Sequence, residues 1–311
     1  MAIVPDSPRS LTEFEQRFGD EDTCAEYLAA ARWPDGFVCP CCGDSKAWRL
    51  ESKPWTYECA GCGRQTSVTA GTILHHSKLP LTTWFWAAYV MATQPNGISA
   101  LQLQRELRLG SYKTAWLLCA KLRQCMVAPG RAPLSGLVEF DKTEMICRSK
   151  NDPVTCDVGR NHHGKMLVVG AVEVQGLRLG RIRLSALPDD SAASLHAFLA
   201  ASVAPSATAP ASGEAGYSGG PGINDDPHVM GATAADKARP RVHGVFSDLK
   251  VWALSVYHGM RRKHLQSYLE EFVYRFNRRR DRQAAFPALL GLAAAHRPVT
   301  YDIAISLGAT A

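Results

Sequence analysis

Two cysteine pairs, Cys39-Pro-Cys-Cys42 and Cys59-Ala-Gly-Cys62, constrain this chain more than any other feature. Each C-x-x-C turn brings two thiolates to one metal ion. Two such turns, 16 residues apart, close a tetrahedral four-sulfur shell around Zn2+. Gly43, Gly61 and Gly63 supply the tight turns, and Trp48, Leu50, Trp55 and Tyr57 have the alternate spacing of a ribbon hairpin. A shell filled by four protein ligands leaves no open position, so the site is structural rather than catalytic. Cys41 is a bystander inside the first turn. Five of the ten cysteines fall within 39–62, which reads as metal binding by reduced thiols in a cytoplasmic setting, not as a disulfide framework. The N-terminal residues lack a basic segment followed by an apolar one, so they do not read as a signal peptide. The most apolar stretch, 81–92, falls short of the ~20 residues a membrane span needs, and no membrane partner is expected.

The 311 residues suggest about two domains. Residues 1–32 read as N-terminal helices, broken at Gly19-Asp20 with Asp20 or Asp22 as a cap. The zinc ribbon occupies 33–75 and a helical segment 78–130, divided by Gly110-Ser111. From 135 to 305 the pattern is α/β. Leu137–Asp141, Met166–Val174 and Leu179–Leu187 read as strands, and 191–203, 243–258 and 264–280 as helices. Residues 204–240, dominated by Ala, Gly, Pro and Ser, read as a flexible insertion with room for one short strand.

The net charge of +6 is unevenly placed: residues 261–282 carry eight basic residues against three acidic ones. Arg275, Arg278 and Arg279 in that run suit phosphate contact, with a solvated helix face as the plain alternative. In the helical segment, Arg105, Arg108, Lys113, Lys121 and Arg123 lie on or beside the second helix, as a recognition helix in a DNA groove requires. An ordinary helical hairpin with solvated charges fits the same pattern. A loop bearing Cys147, Cys156, His162 and His163 matches no familiar zinc spacing, and its Arg148, Lys150, Arg160 and Lys165 suit DNA-backbone contact better. Asp141 closes an apolar strand, where a carboxylate either holds a divalent ion at the mouth of a sheet or merely ends a turn.

Several blocks together resemble bacterial insertion-sequence transposases that carry an N-terminal zinc ribbon and a DDE-type, ribonuclease-H-like catalytic domain. They are the 39–62 run, Gly97–Trp116, Leu137-Val-Glu-Phe-Asp141, Val168–Glu173, Asp190–Leu195, Val242-His-Gly-Val-Phe-Ser-Asp-Leu-Lys250 and His264–Arg279. The likeness spans roughly 15–305 with the blocks in the family's order. It implies a mixed sheet flanked by helices and metal-dependent cleavage and strand transfer at the ends of a mobile element. It also implies terminal inverted repeats and target DNA as partners, action as a homo-oligomer on DNA, and a nucleoid-associated location.

The resemblance makes Asp141 the first catalytic carboxylate. The third catalytic position, which varies in this group among Glu, Asn and His and is followed seven residues later by Lys, becomes His243 with Lys250. Asp141 would hold the catalytic Mg2+ or Mn2+. The second catalytic Asp has no counterpart: the family's Asp-Gly-Trp-x-Gly-Tyr stretch aligns with Ser212-Gly-Glu-Ala-Gly-Tyr217, leaving Ser212 in its place. Lys142 stands where the family has Glu, and Asp248 and Val251 interrupt its usual run. These departures imply weakened metal binding and an impaired enzyme, with Glu214, Asp225 or Asp226 as substitute carboxylates to be considered. Two alternatives follow: an inactive, degenerate or domesticated copy that only binds DNA, and a zinc-ribbon DNA-binding regulator.

Overall fold

The computed structural model describes residues 7–148, 164–176, 178–210, 224–226, 240–257 and 260–306. The chain divides into two units, residues 1–128 with 280–304 and residues 129–279 with 305–311.

In the first unit α1 (Leu11–Phe18) and α2 (Glu21–Arg32) meet at Gly19-Asp20. Asp20 caps α2, its Oδ1 accepting from the Thr23 N–H at 2.7 Å. The strands β1 (Ala47–Arg49), β2 (Thr56–Cys59) and β3 (Gln65–Ser67) form a small antiparallel sheet. Then come α3 (Leu81–Thr93), α4 (Ala100–Glu106) and α5 (Tyr112–Cys125). Glu21 reaches across from α2 to start α3, taking the N–H groups of Leu81 and Thr82 at 2.8 Å each.

The helix Ala285–Ala295 also belongs to this unit. Its Phe286 is fully buried against Phe14, Phe18, Phe85 and Tyr89, with ring centroids 5.5–6.3 Å away. From sequence, 284–305 is expected with the α/β domain. An apolar helix declares that it will be buried, but its periodicity does not say in which core.

The second unit is the expected α/β domain. Strands β4 (Leu137–Arg148), β5 (Lys165–Gln175) and β6 (Arg178–Ala186) form an antiparallel meander. After α6 (Ala192–Ser202), β7 (Thr208–Pro210) and β8 (Asn224–Asp226) join in parallel on the other side of β4. The resulting order, β6-β5-β4-β7-β8, is that of a ribonuclease-H-like sheet. Next in the chain are α7 (Pro240–Tyr257), β9 (Met260–Arg261) and α8 (Leu265–Asn277), with β9 pairing in parallel with the far end of β4. The stretch 204–240 thus contributes two short strands where one was expected. β4 runs on past Asp141 to residue 148, because it pairs with β5 as far as Ile146↔Lys165 despite its polar middle.

The period of two sorts the sheet's side chains between two cores. Val138, Phe140, Val169 and Ala171 face α6, whose Leu195, Phe198 and Leu199 complete that core. Met145, Cys147, Val168 and Val172 face α7 and α8, meeting Val245, Phe246, Leu249 and Leu269. α8 also covers the edge of β6. Asn277 accepts from the Ile182 N–H at 2.8 Å and donates to the Ile182 carbonyl at 3.2 Å, and Gln266 accepts from the Ala186 N–H at 2.9 Å. Two side-chain amides thereby satisfy backbone groups that an open edge would expose.

Candidate active site

Alternation along β4 puts Glu139 and Asp141 on the face turned toward α7. The residue paired with Asp141 across β5 is Gly170, and Phe246 of α7 lies over it. A Cβ at position 170 would stand 2.6 Å from Phe246 Cε1, so the missing side chain lets the helix close on the sheet. The first turn of α7 then carries His243 to Asp141, with Nε2 3.4 Å from Oδ2. Their side chains keep 40% and 20% of their exposure, while His243 Nε2 itself is shielded from solvent. The other Asp141 oxygen accepts the Lys142 N–H at 2.7 Å.

Lys250 lies exposed two turns further along α7, about 10 Å down the axis. Asp248 and Val251, the other departures on this helix, are exposed as well. Lys142 does not direct its charge at Asp141. It follows Asp141 on a strand and so leaves by the opposite face, where its ammonium pairs with Asp190. Ser212 and Glu214 lie outside the described residues, as do Cys156, His162 and His163 of the second cysteine–histidine group. Cys147 is buried in β4. The described chain ends β7 at Pro210, and Asp225 and Asp226 form the end of β8.

The four ribbon cysteines converge. Their sulfurs all lie within 4.8 Å of one another, with Cys39–Cys62 at 3.7 Å and Cys42–Cys59 at 3.5 Å. A tetrahedron with Zn–S bonds near 2.3 Å has sulfurs about 3.8 Å apart, so the donor set fits zinc. The two knuckles are built alike: Gly43 N–H donates to the Cys39 carbonyl at 3.0 Å and Gly63 N–H to the Cys59 carbonyl at 2.9 Å. Both glycines have positive φ, 79° and 67°. Backbone N–H groups of Cys42 and Cys41 hold the Cys39 thiol below its ordinary range, whereas Cys42 and Cys62 are raised above theirs. Among the described residues, no other group of three or more metal-ligating side chains comes together.

An ISXO2-like transposase domain model matches residues 133–277, which is the α/β sheet with its helices. A transposase zinc-ribbon domain model matches residues 19–65, which includes all four clustered cysteines. The chain thus carries an insertion-sequence transposase domain preceded by a transposase zinc ribbon. It is also 32% identical over 127 residues to an uncharacterized protein in transposable element ISH50 from Halobacterium salinarum. That stretch is 40% of this chain and 42% of the relative, less than half of its length. No solved structure matches the chain.

Within the transposase, the basic residues singled out from sequence fall into two groups. Arg105, Arg108 and Lys113 are exposed around the α4–α5 turn, beside the exposed Leu101 and Tyr112, with the Lys113 ammonium 4.0 Å from the Tyr301 ring centroid. Lys121 is half-buried and donates to the Ile73 carbonyl at 3.3 Å, while Arg123 is buried. The arginines at the end of α8 serve the fold's own contacts. Arg279 donates to the carbonyls of Leu179 and Gly180 on β6. Arg278 lies 3.8 Å from the Tyr274 ring centroid, and Arg275 is 3.7 Å from Glu271. No helix among the described residues is long and apolar enough to cross a membrane. Glu139 and Gly170 belong to the site without being singled out by any motif. The available signal was an acid two residues before Asp141, on the same strand face, and a glycine inside an otherwise apolar strand.

Proposed function

We propose that this transposase cuts and joins DNA at the ends of its mobile element, with Asp141 and His243 at the reacting centre, and that Ser212 makes this copy slow. The observation that carries the reading is the 3.4 Å approach of His243 Nε2, on the first turn of α7, to Asp141 Oδ2 on the sheet's central strand. The resemblance names the same two positions independently of that distance.

A carboxylate oxygen and an imidazole nitrogen this close can share one divalent ion, and the imidazole favours Mn2+ beside Mg2+. Bound there, the ion supplies Lewis-acid stabilisation of a phosphodiester under in-line attack. The chain's own residues do the rest. Asp141 holds negative charge at the site, His243 orients the scissile phosphate or completes the ligand set, and Lys250 contacts a neighbouring phosphate as a point charge. Arg105, Arg108 and Lys113 hold duplex DNA in the helical segment, the terminal repeats and target being the substrates. Juxtaposing two ends calls for a homo-oligomer on DNA, working where the cell keeps its chromosome.

A serine at position 212 is neutral where the family has a second carboxylate, so metal binding is weaker. Lys142 adds little to that weakening, because Asp190 neutralises it. The test is cleavage of a terminal-repeat duplex by the zinc-loaded chain in Mg2+ or Mn2+. The parent should cut slowly, Asp141→Ala not at all, and Ser212→Asp about tenfold faster than the parent or more. Cleavage that survives Asp141→Ala contradicts the proposal.

A further inference from the structure

Glu139 is 1% exposed, two residues before Asp141 on the same face of β4. A buried carboxylate is costly unless donors surround it. Here the donors come from the first turn of α7. Arg241 Nη1 donates to Oε1 at 2.9 Å, and the N–H groups of Arg241 and Val242 reach Oε2 at 3.1 and 3.3 Å. Such N–H groups are unpaired at any helix start and carry the positive end of the helix dipole. Arg241 is held from its other side as well, with Nη2 donating to the Gly176 carbonyl at 2.9 Å.

The residue after Val242 is His243. The carboxylate therefore grips the helix immediately before the residue that meets Asp141. It fixes where α7 starts along β4 and how the helix is rotated. A slip of one residue would turn His243 by about 100° away from Asp141. Phe246 over Gly170 fixes the depth of the same helix, so height, rotation and axial position are all set within its first two turns.

We propose that Glu139 is a positioning residue, whose buried carboxylate, clamped by Arg241 and the first N–H groups of α7, holds His243 in register with Asp141. This rests on the reading of Asp141 and His243 as the reacting centre. Glu139 acts through the helix and not as a metal ligand, because its oxygens are already engaged by Arg241 and the helix start.

The test uses the zinc-loaded full chain with ring-labelled histidines, where the His243 resonance is the one lost in His243→Gln. In the parent, Asp141→Asn should shift that resonance, because the two side chains adjoin. In a Glu139→Ala background, the same Asp141→Asn change should move it by about a third as much or less, with the chain still folded. Glu139→Gln, isosteric and able to accept from one N–H, should lose part of the response, and it serves if the alanine variant does not fold. On terminal-repeat DNA the variants should cut about tenfold more slowly at unchanged DNA affinity. A His243 response of parental size in the folded variants overturns the proposal. The ring resonance needs no cleavage, so a chain that cuts no DNA would defeat the functional reading while this one is still decided.

Discussion

A single methyl group at Gly170 is the smallest change that reaches the centre, from the sheet beneath α7. Its Cβ would stand 2.6 Å from Phe246 Cε1, 3.0 Å from Phe246 Cζ and 2.8 Å from Leu184 Cδ2. Carbon atoms in contact prefer about 3.5–4.0 Å, so the ring and its helix must retreat by about 1 Å. Phe246 is 3% exposed and Leu184 2%, so neither has empty space to enter. Overpacking of this kind costs about 1–3 kcal/mol. Because His243 lies one turn before Phe246, the same retreat lengthens its 3.4 Å approach to Asp141 by a comparable distance. Gly170→Ala should therefore lose about 2 kcal/mol in urea unfolding and most of the cleavage rate. Phe246→Leu removes both clashing ring atoms, so the double variant should regain about 1 kcal/mol relative to additivity. A Gly170→Ala protein within about 0.5 kcal/mol of the parent, with no coupling to Phe246→Leu, would refute the close-packing argument.

Other outcomes follow from particular contacts. Arg105→Ala, Arg108→Ala and Lys113→Ala should each weaken terminal-repeat binding and lower the salt slope by about one. Lys121→Ala should instead leave the slope unchanged and lower the melting temperature, since its ammonium bonds within the fold. Burial alone would raise the Glu173 carboxyl, but the Arg181 guanidinium and the N–H groups of Ser135 and Arg181 outweigh it and hold it below its ordinary range. The stability Glu173 contributes is thus present above its unfolded value and lost as pH falls through the lower folded value. Glu173→Gln should destabilise the second unit at neutral pH and flatten its acid-unfolding profile below about pH 4. Chelation of zinc should open residues 39–67 to proteolysis, and added zinc should reverse it.

The features most legible in the sequence were those set by local chemistry. Paired cysteines at fixed spacing can close only a few kinds of site, and the unbroken apolar run from Val168 to Val172 reads as a strand buried on two faces. Asp141 was visible as a carboxylate ending an apolar run, but its meeting with His243 came only from family resemblance. No periodicity connects residues so far apart. What escaped was tertiary. The helix Ala285–Ala295 showed that it would be buried without showing that Phe286 completes the ring cluster of Phe14 and Phe85. The arginines at 275–279 announced positive charge, while the carbonyls of Leu179 and Gly180 that occupy Arg279 lie on a strand nearly 100 residues earlier. Lys142 looked like a positive charge opposing metal binding beside Asp141, but strand alternation carries it to Asp190.

The central claim is that Asp141 and His243 form one divalent-ion centre weakened at position 212. Mn2+ titration of the zinc-loaded chain on terminal-repeat DNA, followed by electron paramagnetic resonance, tests it most directly. The account predicts one weak site, lost in Asp141→Asn, loosened in His243→Gln and tightened about tenfold or more in Ser212→Asp. Mn2+ binding that is indifferent to Asp141→Asn would contradict it.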